Sequence, residues 1–274
     1  MLNANDIQHA LYETNSVSEL SDIIQKLVGS GQTYFLFVGG DGTMHHGGNL
    51  LLYHAAERAK DIVVGLLPCG TGNDWVRSFG IPKNQIIKSL KRKTSAPFNI
   101  LKISWPDGNV RFAFNMIGGA LDAAVVDLLN GGAVFKYRFL KYPLALLMTL
   151  MKPHRWNGII TVDDKQFEND WLSIEAGFGH YCGGGMYVLP HAKENVPALL
   201  LMKQKSVLKI ILSLPALYNG RITQQKEATG MHFNSLKIQH TDIPIPMQAD
   251  GEWLGYSPVT VTPVFGAIQR LVSH

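Results

Sequence analysis

The sequence predicts an α/β domain with a parallel sheet, followed by a mainly β domain built as an antiparallel sandwich. Three observations predict this. Helical and buried-strand patterns alternate from residue 15 to residue 72, and each strand runs straight into glycines, as in a parallel sheet covered by helices. Beyond Ser95-Ala96-Pro97 the pattern changes to strands and hairpins. A length of 274 residues allows two units, here divided as residues 1–95 and 96–274, each able to bury its own core.

In the first unit, residues 21–28 have helical spacing and residues 34–38 form a short continuous apolar strand. Residues 48–60 return to helical spacing, 62–67 read as a second buried strand, 75–79 as a short helical segment and 84–93 as a basic helix. In the second unit, strands over 98–105 and 110–116 flank Pro106-Asp107-Gly108-Asn109, a strong hairpin turn, and 159–167 turns at Asp163-Asp164. Further strands are expected at 171–176, 198–203, 236–239 and 258–262, with helices near 120–130, 138–151 and 207–218.

With 46% hydrophobic and 17% charged residues and no low-complexity tract, the composition is that of a globular protein. Residues 1–10 have neither a basic start nor an apolar run, so no secretory signal is visible and a cytoplasmic location is expected. The apolar stretches 142–151 and 207–217 fall short of the roughly 20 residues of a membrane-spanning helix. Cys69 and Cys182 are too few for a disulfide framework and lack zinc spacing. The net charge of +4 is mild, and no nucleic-acid partner is expected. Lys136, Arg138 and Lys141 cluster beside aromatic residues, which suits either anionic lipid head groups or a solvated helix face.

Two glycine-rich segments carry the chemistry. Gly39-Gly40-Asp41-Gly42-Thr43 follows a buried strand and precedes a helix, so its amides can line an anion site, while Asp41 and Thr43 can meet a metal or a ribose hydroxyl. A tight capped turn is the plainer alternative. The next strand ends in Pro68-Cys69-Gly70-Thr71-Gly72-Asn73-Asp74, and adjacent parallel strands deliver both turns to one carboxyl edge, where ligands bind in open α/β sheets. Asp250-Gly251-Glu252 places two carboxylates one residue apart in a Gly-containing turn. Cys182, beside His180 and before Gly183-Gly184-Gly185, lacks a positioned base and reads as a buried thiol, and His45 and His46 read as surface or capping residues.

The two motifs, their order and their separation resemble those of the diacylglycerol kinase and sphingosine kinase catalytic family, which includes bacterial lipid kinases. Asn49, Arg77 and Gly80-Ile81-Pro82 also fit, and weaker similarity runs through residues 118–125, 183–192 and 250–252. The resemblance implies a two-domain kinase that encloses ATP and Mg2+ in a cleft, with the C-terminal tail returning to the first domain. It implies that Gly39, Gly40, Asp41, Gly42 and Thr43 meet the nucleotide phosphates or their metal, Asp41 being the metal ligand. Gly70, Thr71, Gly72, Asn73 and Asp74 would complete the pocket. Asp250, as base, and Glu252 would face them across the cleft. Phosphoryl transfer to a lipid hydroxyl at a membrane surface, most simply diacylglycerol to phosphatidic acid, is the activity so implied.

Departures from the family pattern support two other readings. The chain contains no Asn-Pro and joins the pattern near its second strand, so either the sequence starts late or the family's opening Asn-Pro-x-x-Gly loop is lost. His46 and Asn99 stand where the family has acidic residues, and Glu194-Asn195-Val196-Pro197 replaces an expected Asp-Gly after Pro190-x-Ala192. Neither an amide nor an imidazole supplies the anionic charge a divalent ion requires, which favours a catalytically impaired nucleotide- or lipid-binding member. A Gly-Gly-Asp-Gly motif also occurs in NAD kinases, although residues 68–74 argue against that reading. The apolar helices near 138–151 and 207–218 are expected to pack mainly into the core, with an acyl-chain groove as the alternative.

Overall fold

The structure, a computed structural model, describes residue 5 and residues 7–131, 141–151 and 155–273. The first domain contains α1 (Val17–Gly29), β1 (Tyr34–Gly39), α2 (Asp41–Ala55), β2 (Val63–Pro68), α3 (Asp74–Phe79) and α4 (Lys83–Arg92). The chain continues through β3 (Ser95–Ser104), β4 (Val110–Ala113), β5 (Met116–Ala120), α5 (Leu121–Asn130) and α6 (Lys141–Leu150). There follow β6 (Trp156–Val162), β7 (Lys165–Gly177), β8 (Tyr181–Cys182), β9 (Met186–Tyr187), β10 (Ala198–Lys203) and α7 (Val207–Tyr218). The last strands are β11 (Ala228–His232), β12 (Leu236–His240), β13 (Pro246–Ala249), β14 (Glu252–Tyr256) and β15 (Val259–Leu271).

An N-terminal α/β unit thus precedes a β-sandwich, and one strand joins them. β1 and β2 pair in parallel, with Gly39 opposite Pro68. The last residues of β15 continue this sheet, also in parallel, with Gln269 opposite Val63 and Arg270 opposite Val64. The earlier part of β15 runs antiparallel to β3 and β12 inside the sandwich. Its buried side chains, Val259, Val261, Ile268 and Leu271, serve both layers, and its backbone hydrogen bonds join the sandwich to the α/β unit.

Most boundaries follow from local chemistry. α1 begins earlier than its apolar pattern because Ser16 Oγ accepts the Glu19 amide and Glu19 accepts the Asn15 amide, a capping exchange. α2 begins at Asp41 rather than near residue 48: the Thr43 and Met44 amides both donate to the Gly40 carbonyl, so the glycine motif is itself the first helical turn. The expected strand 110–116 is broken into β4 and β5. Its end residues pair as predicted with β3, Leu101 opposite Ala113 and Ser104 opposite Val110, but the amides of Phe114 and Asn115 turn away to Asp250. Lys136 and Arg138, and the start of the helix expected at 138, lie outside the described residues. No helix among the described residues is long and apolar enough to cross a membrane.

The larger apolar cluster packs α2 onto the sandwich through Leu51, Phe98 and Phe114. A Cβ at Gly48 would collide with the ring of Phe114, which is buried and stacked on Phe98 at 6.5 Å between centroids. Gly48→Val is therefore expected to destabilise the protein by about 1–3 kcal/mol through overpacking. Denaturant melts check this, and an unchanged midpoint contradicts the packing described.

Candidate active site

The paired turns touch backbone to backbone. A Cβ on Gly40 would stand 3.1 Å from the Gly70 Cα, and one on Gly70 2.6 Å from the Gly40 Cα, so glycine at both positions lets the turns meet. The second turn is closed by Asn73, in left-handed conformation at φ 54°, whose Oδ1 accepts the Gly70 amide at 3.1 Å and whose Nδ2 donates to the Gly70 carbonyl at 2.8 Å. Asp41 ties the turns together, because its Oδ1 accepts the Trp75 amide at 2.9 Å in the first turn of α3. A third loop seals the side: Asp74 Oδ2 accepts the Gly184 amide at 2.7 Å from the Gly183-Gly184-Gly185 turn, all three glycines having positive φ.

Across from these turns, Asp250 and Gly251 form the two-residue hairpin between β13 and β14, both with positive φ. The Asp250 carboxylate is buried and accepts four hydrogen bonds. Oδ2 takes the Phe114 amide at 2.8 Å and the His45 ring nitrogen Nδ1 at 2.9 Å. Oδ1 takes the Asn115 amide at 2.8 Å and the Met116 amide at 3.1 Å. His45 is therefore a buried partner of Asp250, which corrects the expectation that it is a surface or capping residue, whereas His46 is partly exposed and faces Glu252 at 3.6 Å. The sequence signal was absent, since the pairing spans 205 residues.

These elements enclose a hollow of about 270 Å³. Of the residues singled out from sequence, Asp41, Gly72, Asp74, Gly183, Gly184, Asp250 and Gly251 line it. Gly39, Gly40, Gly70 and Asn73 build the turns behind, Thr43 packs on Gly39, and Thr71 is exposed. Glu252 does not line the hollow, and its Oε1 would be 2.6 Å from a Cβ on Gly42, at the start of α2. Residues the sequence did not single out complete the wall: Asn115, Asp122 and Gln248 are polar, while Met116, Val126 and Leu129 are apolar. Gln248 Nε2 donates to Asp122 at 2.6 Å. Cys182 also lines the hollow, and burial foremost, with Asp122, Glu175 and Asp74 adding to it, pushes its thiol well up, so it remains protonated.

The carboxylates are electrostatically uncomfortable. Burial, reinforced by the charge of Asp250, raises Asp41 above the ordinary carboxylate range, and burial together with Asp41 raises Asp74. Asp74 Oδ1 is buried with no hydrogen-bond partner, and the nearest cation, Arg77 Nη1, stands off at 3.9 Å. Glu252 is shifted the other way, held low chiefly by its hydrogen bond with His46. Unpartnered carboxylate oxygen in a hollow of this size fits a divalent cation. Among the described residues no group of three His, Cys, Asp or Glu side chains converges on one point, so the fit is to an ion that keeps water or phosphate oxygens in its shell.

Residues 1–103 match the diacylglycerol kinase catalytic domain, and residues 115–272 match the YegS C-terminal NAD kinase beta sandwich-like domain. The chain belongs to the diacylglycerol kinase-like lipid kinase family. Among its relatives, "Putative lipid kinase YtlR" of Bacillus subtilis is 26% identical over 257 residues, covering 87% of this chain and 81% of that protein. "Putative lipid kinase" of Staphylococcus aureus strain Newman is 24% identical over 273 residues, covering 97% of this chain and 85% of that protein. The fold is similar to that of a Bacillus anthracis structure described as a diacylglycerol kinase, with a TM-score of 0.70 at 17% identity over 99% of this chain and 88% of that one.

Two of this chain's departures from the lipid kinase pattern meet one another. Asn99 Nδ2 donates to Asn195 Oδ1 at 3.1 Å and to the Glu194 carbonyl at 2.9 Å, while Asn99 Oδ1 accepts the Gly266 amide at 2.7 Å. The amides thus fasten the 194–195 loop to β15, and neither lines the hollow.

Raised carboxylates bind protons more tightly in the folded than in the unfolded chain, so stability falls as pH rises from the unfolded value through the raised one. Asp74→Asn removes that penalty and retains an acceptor for the Gly184 amide. It is expected to raise the melting temperature at neutral pH and to flatten its decline from acid to neutral pH. Calorimetric scans across that range check this, and a destabilised variant at neutral pH contradicts it.

Proposed function

We propose that this chain transfers the terminal phosphoryl group of ATP, held with Mg2+, to a lipid hydroxyl, converting diacylglycerol to phosphatidic acid. The supporting observation is a single hollow of two chemistries: buried carboxylates and glycine turns line one part, and Met116, Val126 and Leu129 another. The turns at residues 39–43 and 70–74 would offer backbone amides and the start of α2 to phosphate oxygens. Asp41 and Asp74 would hold the magnesium ion, which supplies charge neutralisation at the phosphates.

The residues of the chain mainly position and exclude water. Asp250 lines the hollow with both carboxylate oxygens engaged in hydrogen bonds, which fixes its orientation. A loose phosphoryl-transfer transition state needs little proton removal before bond formation, so an oriented carboxylate that directs the attacking hydroxyl suffices, with the proton passing to it as the new bond forms. The same full engagement favours, as a second reading, a member that binds nucleotide without turnover.

Radiolabelled ATP with diacylglycerol, sphingosine and NAD as acceptors distinguishes these readings. Multiple turnovers on a lipid are expected, with Asp41→Asn lowering kcat by about 100-fold or more. Nucleotide binding without turnover would replace the kinase by the second reading, and turnover on NAD alone would reject both.

A further inference from the structure

α7 departs from the expectation that it packs mainly into the core. Only Ile210 and Ser213 of its twelve residues are buried. Leu208 and Leu212 are 67% and 72% exposed, and Val207, Ile211 and Tyr218 share the open side of the helix. A helix apolar on all sides is normally enclosed by protein or lipid. α6 repeats the feature, with Leu144, Leu147 and Met148 exposed and Met151, just beyond it, 79% exposed. Both helices rest on one apolar cluster, α7 through Ile210 and Leu217 and α6 through Leu150, and that cluster shares Met116 and Cys182 with the wall of the hollow.

Charge indicates what covers these faces. From Lys203 to Lys226 the sequence holds Lys203, Lys205, Lys209, Arg221 and Lys226 and no acidic residue, and residues 141–151 hold none either. Lys203, Arg221 and Lys226 are exposed, and Lys209, also exposed, pairs with Glu227 just beyond this segment at 3.5 Å. A second copy of the chain meeting this surface about a twofold axis would bring like charges together. A bilayer carrying anionic head groups instead accepts apolar side chains among its acyl chains and lysines at its surface.

We infer that the open faces of α7 and α6 form a docking surface for an anionic phospholipid bilayer, beside the apolar wall through which a lipid acceptor reaches the hollow. The site of docking rests on the proposed lipid acceptor only for its purpose, since the surface itself is set by exposure and charge. Leu208 and Leu212 enter the bilayer interface, and Lys203, Arg221 and Lys226 engage the head groups.

Sedimentation of the full chain with phosphatidylcholine vesicles, with and without phosphatidylglycerol, tests this without nucleotide or turnover. Binding is expected to strengthen about tenfold with phosphatidylglycerol and to weaken with salt. Leu208→Glu/Leu212→Glu, at exposed positions, is expected to lower binding about tenfold or more with an unchanged melting temperature. Absence of binding by the native chain, or binding undiminished in the double variant, would overturn the inference. So would a native dimer in ultracentrifugation that the double variant dissociates. Turnover of a short-chain, water-soluble diacylglycerol separates the two claims: vesicle binding without it leaves the docking surface and removes the kinase, and the reverse removes the docking surface alone.

Discussion

The carboxylate of Asp250 holds the site in one piece. Three consecutive amides, those of Phe114, Asn115 and Met116, would be orphaned at the break between β4 and β5, and a buried amide without a partner costs more than an ordinary hydrogen bond gains. Asp250 satisfies all three and also takes His45 from α2. One side chain therefore fixes the hairpin of β13 and β14, the broken strand and the first turns of α2 relative to one another. The left-handed backbone at Asp250 and Gly251 is what turns that side chain back toward the break.

Around this anchor the acidic groups divide into two kinds. Asp250 and Glu252 are compensated, the first by four donors and the second by His46. Asp41 and Asp74 carry the burden of burial, to which the charge of Asp250 adds at Asp41 and the charge of Asp41 adds at Asp74, and one oxygen of Asp74 has no partner. Compensated carboxylates serve the architecture, whereas uncompensated ones in a hollow mark where a cation would be welcome. His46, at a position where the family pattern has an acid, is the partner that holds Glu252 low.

Much of this was legible in the sequence where local conformation dictates residue type. The two glycine turns follow buried strands, and their backbone contact demands glycine at positions 40 and 70, so their adjacency could be read from strand order alone. The hairpin at residues 106–109 and the turn at 250–251 were readable for the same reason. What escaped was set by distant partners: His45 is one of two adjacent histidines on a helix until Asp250 meets it. Asn115, Asp122 and Gln248 join the hollow only when β5, α5 and β13 pack together. The start of α2 was displaced because residues 41–47 have no apolar period, and the helix there is held by its capping carbonyl and by packing of small residues.

In the proposed reaction the two glycine turns act together on one phosphate chain. Hydrogen–deuterium exchange of the full chain, with and without magnesium and a non-hydrolysable ATP analogue, examines this directly. Both turns, at residues 39–44 and 70–75, should gain protection in the same titration; protection of one alone, or of neither under saturating analogue, would contradict it.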